Sequence, residues 1–295
     1  MRVTKPANYL LDLDPELAAR LEAPVRLHAR PAATAVTFAL EPRQLDLKLW
    51  LDAARKGPGL LVLSGALVGY ASVAGREVAE LVGRGDLIQA EHDEAEFIGC
   101  EHSWRVLERA RLAILDAAFA ERVKPWPQIT QALLQRAERR LHHLAVQRAI
   151  AANPRLEVRL LLLLWHLAAR WGIRELGGIR VPLPLTHELL GRLIGAERPS
   201  VTHALKRLTE TGLIGHGEDG WHLRGALEDL DLNSLGRAHA PWPRSDHDRT
   251  GRPAHVPAGT PHQRAKAAPT PAAATPNAAP ARAARTFAGG LGLAP

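Results

Sequence analysis

The 295-residue chain is 46% hydrophobic and 23% charged, enough apolar mass for about two packed domains and incompatible with a wholly disordered chain or a multi-span membrane protein. Its single cysteine, Cys100, excludes an internal disulfide, a four-cysteine zinc site and a cysteine-ligated iron–sulfur cluster, and fits a reducing cytoplasm. The net charge of +7 is uneven: residues 237–295 hold eight Lys/Arg against two Asp, and the other 236 residues hold 30 basic and 29 acidic side chains, so basicity says little about what the rest of the chain binds.

The first twenty residues contain no apolar run of signal-peptide length. Residues 8–20 are expected to form a short helix, with Asp14 as N-cap and Pro15 at the first helical position. From about 34 to 115 the pattern changes to short apolar or alternating runs broken by Gly, Pro and basic turns. Many short strands at close spacing predict an antiparallel sandwich or barrel.

Residues 127–152 contain no Gly or Pro after Pro127. Leu134, Ala137, Leu141, Leu144, Arg148 and Ala151 step by three and four, the seam of a heptad helix in which Arg148 is an unusual occupant. Pro154 marks a break. A very apolar helix over 155–171 follows, and Gly172 stops it. Its longest apolar stretch, Leu160 to Ala169, is too short to span a bilayer. Trp165 and Trp171 on this helix are expected in the core. An extended piece over 179–185 comes next.

The strongest signal is 186–223, which reads as helix, tight turn at Gly195, helix and hairpin. Thr186 can cap the first helix. Pro199 falls in the first turn of the second, where its missing N–H costs little, and Gly212 ends it. Leu189, Leu190, Leu193, Ile194, Val201, Leu205 and Leu208 are spaced to share one core, as in a helix-turn-helix. The opposite face of the second helix shows Arg198, Ser200, Thr202, His203, Lys206 and Arg207, with no acid among them. Short donors and cations suit a major-groove helix. Arg198 is the first choice for a bidentate contact to guanine, and Ser200, Thr202 and His203 follow. Lys206 and Arg207 are expected on phosphates. The hairpin turn is acidic and bracketed by glycines.

Residues 237–295 hold ten of the chain's 22 prolines among Ala, Arg and His. They are expected to be a disordered basic tail, which either binds phosphate without sequence preference or merely solubilises.

These residues resemble a known family. Thr186 to Gly195, then Arg198-Pro199-Ser200-Val201 and Leu205-Lys206-Arg207-Leu208, look like the winged helix-turn-helix of the cAMP receptor protein/Fnr (Crp/Fnr) regulators. The resemblance extends back through Gly85-Asp86-Leu87-Ile88 and Leu63-Ser64-Gly65-Ala66-Leu67, and covers about residues 35–230. It implies an α+β chain: a cyclic-nucleotide-binding-like β-roll (1–126), a dimerisation helix (127–152), a winged helix-turn-helix (153–236) and the tail (237–295). It implies a homodimer paired through 127–152, double-stranded DNA as partner, and RNA polymerase and a small effector as further candidates, with no membrane, cofactor or metal. The family's Gly-Glu stretch after Gly-Asp is replaced by Gln89 to Glu94, and its Arg-Ser/Thr-Ala phosphate element does not occur in 89–115. Cyclic nucleotide is therefore not expected to bind through the family's usual residues. Pro199 stands where the family often has Glu, which should alter the operator.

Other readings stay open. His92, Glu96, Cys100 and His102 could ligate a metal, although their spacing follows no established pattern. A DNA-packaging protein of low sequence preference and a protein-docking winged helix also fit the pattern. No phosphate-cradling loop, dinucleotide fingerprint or nucleophile elbow occurs, which disfavours an enzyme.

Overall fold

The computed structural model describes residues 7–89, 98–225 and 227. The chain opens with a strand, β1 (Ala7–Tyr9), one helical turn, α1 (Leu10–Leu13), and a 3-10 turn at Pro15–Ala18. The helix expected over 8–20 is thus broken at Asp14, whose side chain caps nothing. Its carboxylate is buried and taken by Arg136, at 2.8 Å. An ion pair made 122 residues away overrides the local capping preference.

After α2 (Ala23–Ala29) come β2 (Thr34–Leu40), β3 (Gln44–Leu45), α3 (Lys48–Ala54), β4 (Gly59–Val73), β5 (Arg76–Gly83), β6 (Leu87–Ile88) and β7 (Glu101–Leu115). The strands pair antiparallel in the order β1-β2-β7-β4-β5, with β3 on β7 and β6 on β4. This is the expected strand-rich region from 34 to 115, folded as a β-roll. The short helices α2 and α3 were not foreseen, since neither carries an apolar period long enough to announce a helix.

The two glycine motifs each have a steric reason. The β4–β7 register shifts around Ser64 and Ala66, and Gly65 sits there at φ +82°. A Cβ on Gly65 would lie 2.3 Å from the Arg109 carbonyl oxygen, so only glycine allows this bulge. Gly85, at φ +86°, leaves space for Arg136, whose Nη1 donates to the Gly85 carbonyl at 3.2 Å. Asp86 is buried; it accepts from the Gly83 N–H at 2.8 Å and pairs with Arg170 at 2.6 Å.

α4 (Ala117–Val123) is capped by Asp116, which accepts from the Phe119 N–H at 2.7 Å. It leads into α5 (Pro127–Ala151), the long helix expected from the sequence. α5 turns Ile129, Leu133, Arg136 and Ile150 inward, while Leu134 and Leu141 stand 59% and 67% exposed. The heptad seam is therefore not the face that the chain uses for its own core. α6 (Leu156–Trp171) follows and buries Val158, Leu160, Leu161, Leu163, Leu164 and Leu167. Trp165 and Trp171 are only partly buried at the rim of that core, because α6 presents its leucines to the centre. Among the described residues, no helix is long and apolar enough to cross a membrane.

The last elements are β8 (Ile173–Glu175), β9 (Gly178–Val181), α7 (His187–Ile194), α8 (Arg198–Glu210), β10 (Ile214–Gly217) and β11 (Gly220–Arg224). A four-stranded antiparallel sheet in the order β10-β11-β9-β8 flanks the two helices. One core joins α6, α7, α8 and this sheet to Ala66, Val68 and Ala79 of the β-roll.

Two stability measurements test this architecture. Arg136→Met leaves Asp14 buried without its counter-ion and should cost about 3–5 kcal/mol in denaturant unfolding at pH 7. Burial already pushes the Asp14 carboxyl up, against the pull of Arg136. Without Arg136 it rises further, so the folded variant binds a proton that the unfolded chain releases above its ordinary range. The deficit should narrow as pH falls below 7; a deficit that widens in acid contradicts the assignment. Thr186→Ala, which removes the cap of α7, should cost about 1 kcal/mol in thermal unfolding.

Candidate nucleic-acid interface

The Thr186 hydroxyl accepts from the Leu189 N–H at 3.2 Å, and α7 ends on Gly195 in the left-handed region at φ +67°. Three residues later α8 begins. The crossing is close: the Ala196 N–H donates to the Gly191 carbonyl at 2.9 Å, and a Cβ on Gly191 would lie 2.4 Å from the Ala196 oxygen. Gly191 is thus the second glycine that the motif requires, a role invisible without the crossing geometry. Inside the angle, Leu189, Leu190, Leu193 and Ile194 meet Val201, Ala204, Leu205 and Leu208, all buried. Every apolar position expected in this shared core is found there.

The same packing decides what α8 leaves outside. Arg198, Ser200, Thr202, His203, Lys206 and Arg207 are all exposed, on one side of the helix. Arg198, Ser200 and His203 make no side-chain hydrogen bond or ion pair among the described residues. Lys206 is 3.9 Å from Glu210, a loose pair that leaves it 75% exposed. Two of the six are engaged within the fold. The Thr202 hydroxyl donates to the Arg198 carbonyl at 3.0 Å. Arg207 is paired with Glu157, a nearly buried carboxylate in the first turn of α6.

His187 is a residue whose place the sequence did not reveal. Its Nδ1 lies 2.9 Å from the Thr202 hydroxyl, and its ring neighbours Trp221. Burial, with His216 and Arg198 nearby, holds its pKa below the ordinary histidine value. A neutral imidazole therefore braces Thr202 at neutral pH and adds no charge to the face.

The hairpin β10–β11 stands beside α8. Trp221 anchors it by donating from Nε1 to the Leu185 carbonyl at 3.2 Å. Its acidic turn is partly neutralised within the fold. Asp219 lies 3.0 Å from His222 and 3.4 Å from Arg180, and the hydrogen bond from His222 lowers its pKa below the usual carboxylate value.

The helix-turn-helix is held against the β-roll by polar contacts. Arg192 of α7 pairs with Glu77 of β5. The Gln147 side-chain amide of α5 donates to the carbonyls of Ala79 and Leu193, at 2.7 and 2.8 Å. Of the weaker metal constellation, Cys100 immediately precedes β7 and His102 is its second residue, while His92 and Glu96 lie outside the described residues, as does the tail 237–295. Among the described residues no three His, Cys, Asp or Glu side chains group as metal ligands.

Residues 158–230 match the family model of the Crp-like helix-turn-helix domain. No curated protein matches the sequence. Among solved structures, a cyclic nucleotide-binding domain containing protein from Listeria monocytogenes EGD-e superposes with TM-score 0.56 at 16% identity, covering 72% of this chain and 97% of that one. FixK2 from Bradyrhizobium japonicum gives 0.51 at 15%, covering 70% and 99%. The c-di-GMP responsive global regulator CLP of Xanthomonas campestris gives 0.51 at 18%, covering 69% and 100%. Residues 158–230 are thus similar to the Crp-like helix-turn-helix domain, and the chain shares the overall fold of these solved structures.

Proposed function

We propose that this chain is a cytoplasmic, homodimeric regulator that binds a near-palindromic operator, with α8 in the major groove of each half-site. One observation carries the reading: the acid-free face of α8 from Arg198 to Arg207 is exposed, while its other face is locked into the domain core. Arg198, at the N-terminal end, is the side chain for guanine, with Ser200, Thr202 and His203 beside it on base edges. Lys206 and Arg207 lie a turn further on and serve phosphates. The domain acts through binding, with no catalytic residue.

Pairing is proposed through α5, whose exposed Leu134 and Leu141 are one heptad apart. A parallel pair of such helices places two reading heads about one DNA turn apart, roughly 34 Å. The division of labour follows the sequence boundaries: 1–126 senses, 127–152 pairs, 153–236 reads DNA, and the tail 237–295 adds unspecific affinity or none. The effector is something other than a cyclic nucleotide held by an Arg-Ser/Thr-Ala element, since residues 89–115 contain none. RNA polymerase is a further partner in this reading.

Selection of bound sequences from a random DNA library should return a near-palindrome. On that site, Arg198→Ala should lose about 1–3 kcal/mol and relax the preference at one base position per half-site. Lys206→Ala should weaken all sequences alike and lower the salt slope by about one. Equal affinity for selected and scrambled DNA at physiological salt favours the packaging alternative. No effect of either variant favours a protein-docking winged helix. Leu141→Asp should convert the dimer to monomer in sedimentation velocity; an unchanged dimer removes α5 from the interface.

A further inference from the structure

The contact between His187 and Thr202 bears on what α8 presents to solvent. Thr202 is exposed in the second turn of α8, four residues beyond Arg198 and so on the same side of the helix. A hydroxyl has one hydrogen and two lone pairs. The hydrogen of Thr202 goes to the Arg198 carbonyl at 3.0 Å. His187 Nδ1, 2.9 Å from the same oxygen, must then be the donor of the second bond, and it takes one lone pair. His187 is itself held in place. It is the first residue of α7, directly after the cap Thr186, and its ring lies 6.2 Å from that of Trp221, the buried anchor of the hairpin. Ser200, on the same helix, makes no side-chain hydrogen bond among the described residues. The two hydroxyls of this face are therefore not equivalent.

We infer that His187 decides what Thr202 reads: with its hydroxyl held back on the protein, Thr202 meets DNA through its methyl group and selects the C5-methyl of a thymine. This rests on α8 lying in the major groove, as proposed above. A hydroxyl whose only hydrogen is spent donates to none of the acceptors of that groove, which are guanine O6 and N7, adenine N7 and thymine O4. Turning it toward a base would break both of its bonds at once. The apolar group that the groove offers is the thymine methyl, and contact between two methyls removes both from water. One lone pair of the hydroxyl remains, for the amino group of adenine or cytosine, and the variants below separate that contact from the methyl.

The spacing also sets where that thymine lies. Arg198 and Thr202 are about 6 Å apart along the helix axis, against roughly 3.4 Å for each base step. The thymine should therefore fall within about two steps of the guanine that Arg198 reads. His187 acts through Thr202, as a positioning residue, and gives α7 a share in specificity without itself meeting a base.

The test uses the full chain and the site selected from the random library, with each thymine of a half-site replaced in turn by uracil, which lacks only the C5-methyl. At one thymine, near the guanine whose preference Arg198→Ala relaxes, uracil should weaken binding about fourfold per half-site. Thr202→Ser keeps the hydroxyl and drops the methyl, and should bring thymine and uracil to equal affinity there. Thr202→Val keeps the methyl and drops the hydroxyl, and should preserve the ratio. His187→Ala should shrink the ratio, and His187→Asn, whose Nδ2 can donate in place of Nδ1, should restore it. Melting temperatures show whether each variant is folded, and the uracil scan needs no variant. If uracil is neutral at every thymine, or if Thr202→Val loses a preference that Thr202→Ser retains, the methyl assignment is overturned while the reading of α8 stands. A ratio that ignores His187→Ala overturns the role of His187. If no sequence is preferred over scrambled DNA, the reading of α8 itself falls, and this inference with it.

Discussion

Everything in this structure is referred to α5, and what fixes α5 is charge buried beneath it. Arg136 is 4% exposed, in the middle of a helix face that otherwise packs on a β-roll. It reaches Asp14 at 2.8 Å and the Gly85 carbonyl at 3.2 Å. A guanidinium in that position is tolerable only if its donors are met, so helix, N-terminal segment and β5–β6 turn must adopt one arrangement. Apolar contacts alone could slide by a turn, whereas this pair cannot. Arg140 and Gln147, one and three turns further along, extend the same logic toward the C-terminal domain. With this face of α5 committed inward, the exposed leucines of the other face are left for something else.

The C-terminal domain inherits its position from the same rail. Gln147 spans β5 and the end of α7, Arg192 meets Glu77, and Asp86 holds Arg170 of α6. Trp171 closes over Gly83, where a Cβ would lie 2.9 Å from its ring. These polar links surround the apolar seam through which one core joins the helix-turn-helix to Ala66, Val68 and Ala79 of the β-roll.

The sequence made the helix-turn-helix legible and left the contacts around α5 obscure, for physical reasons. A helix-turn-helix is short, local and held by 3.6-residue periodicity, so Leu189 to Leu208 announce both their core and their opposite face. Thr186 and Gly195 act within a few residues of themselves. Several of the failures concern contacts that the local pattern cannot show. Asp14 reads as a cap because Arg136, its partner, is 122 residues away. Gly85-Asp86 reads as a family signature, yet its work is to admit Arg136 and to grip Arg170. Gly191 looks like any helical glycine until the Ala196 carbonyl arrives above it.

Arg207 shows how one side chain can serve the fold and still present donors to solvent. Its partner Glu157 is only 8% exposed, so losing that guanidinium would leave a buried carboxylate uncompensated. A phosphate cannot simply take Arg207 away. But a guanidinium carries five N–H donors in a planar fork, and Arg207 is still 58% exposed while paired. It can hold Glu157 with one edge and a phosphate with the other. The pair also ties α8 to α6, and α6 to the β-roll through Arg170 and Asp86. In the reading proposed above, a phosphate bound at Arg207 would pull on the ion pairs that run through α6 to the β-roll.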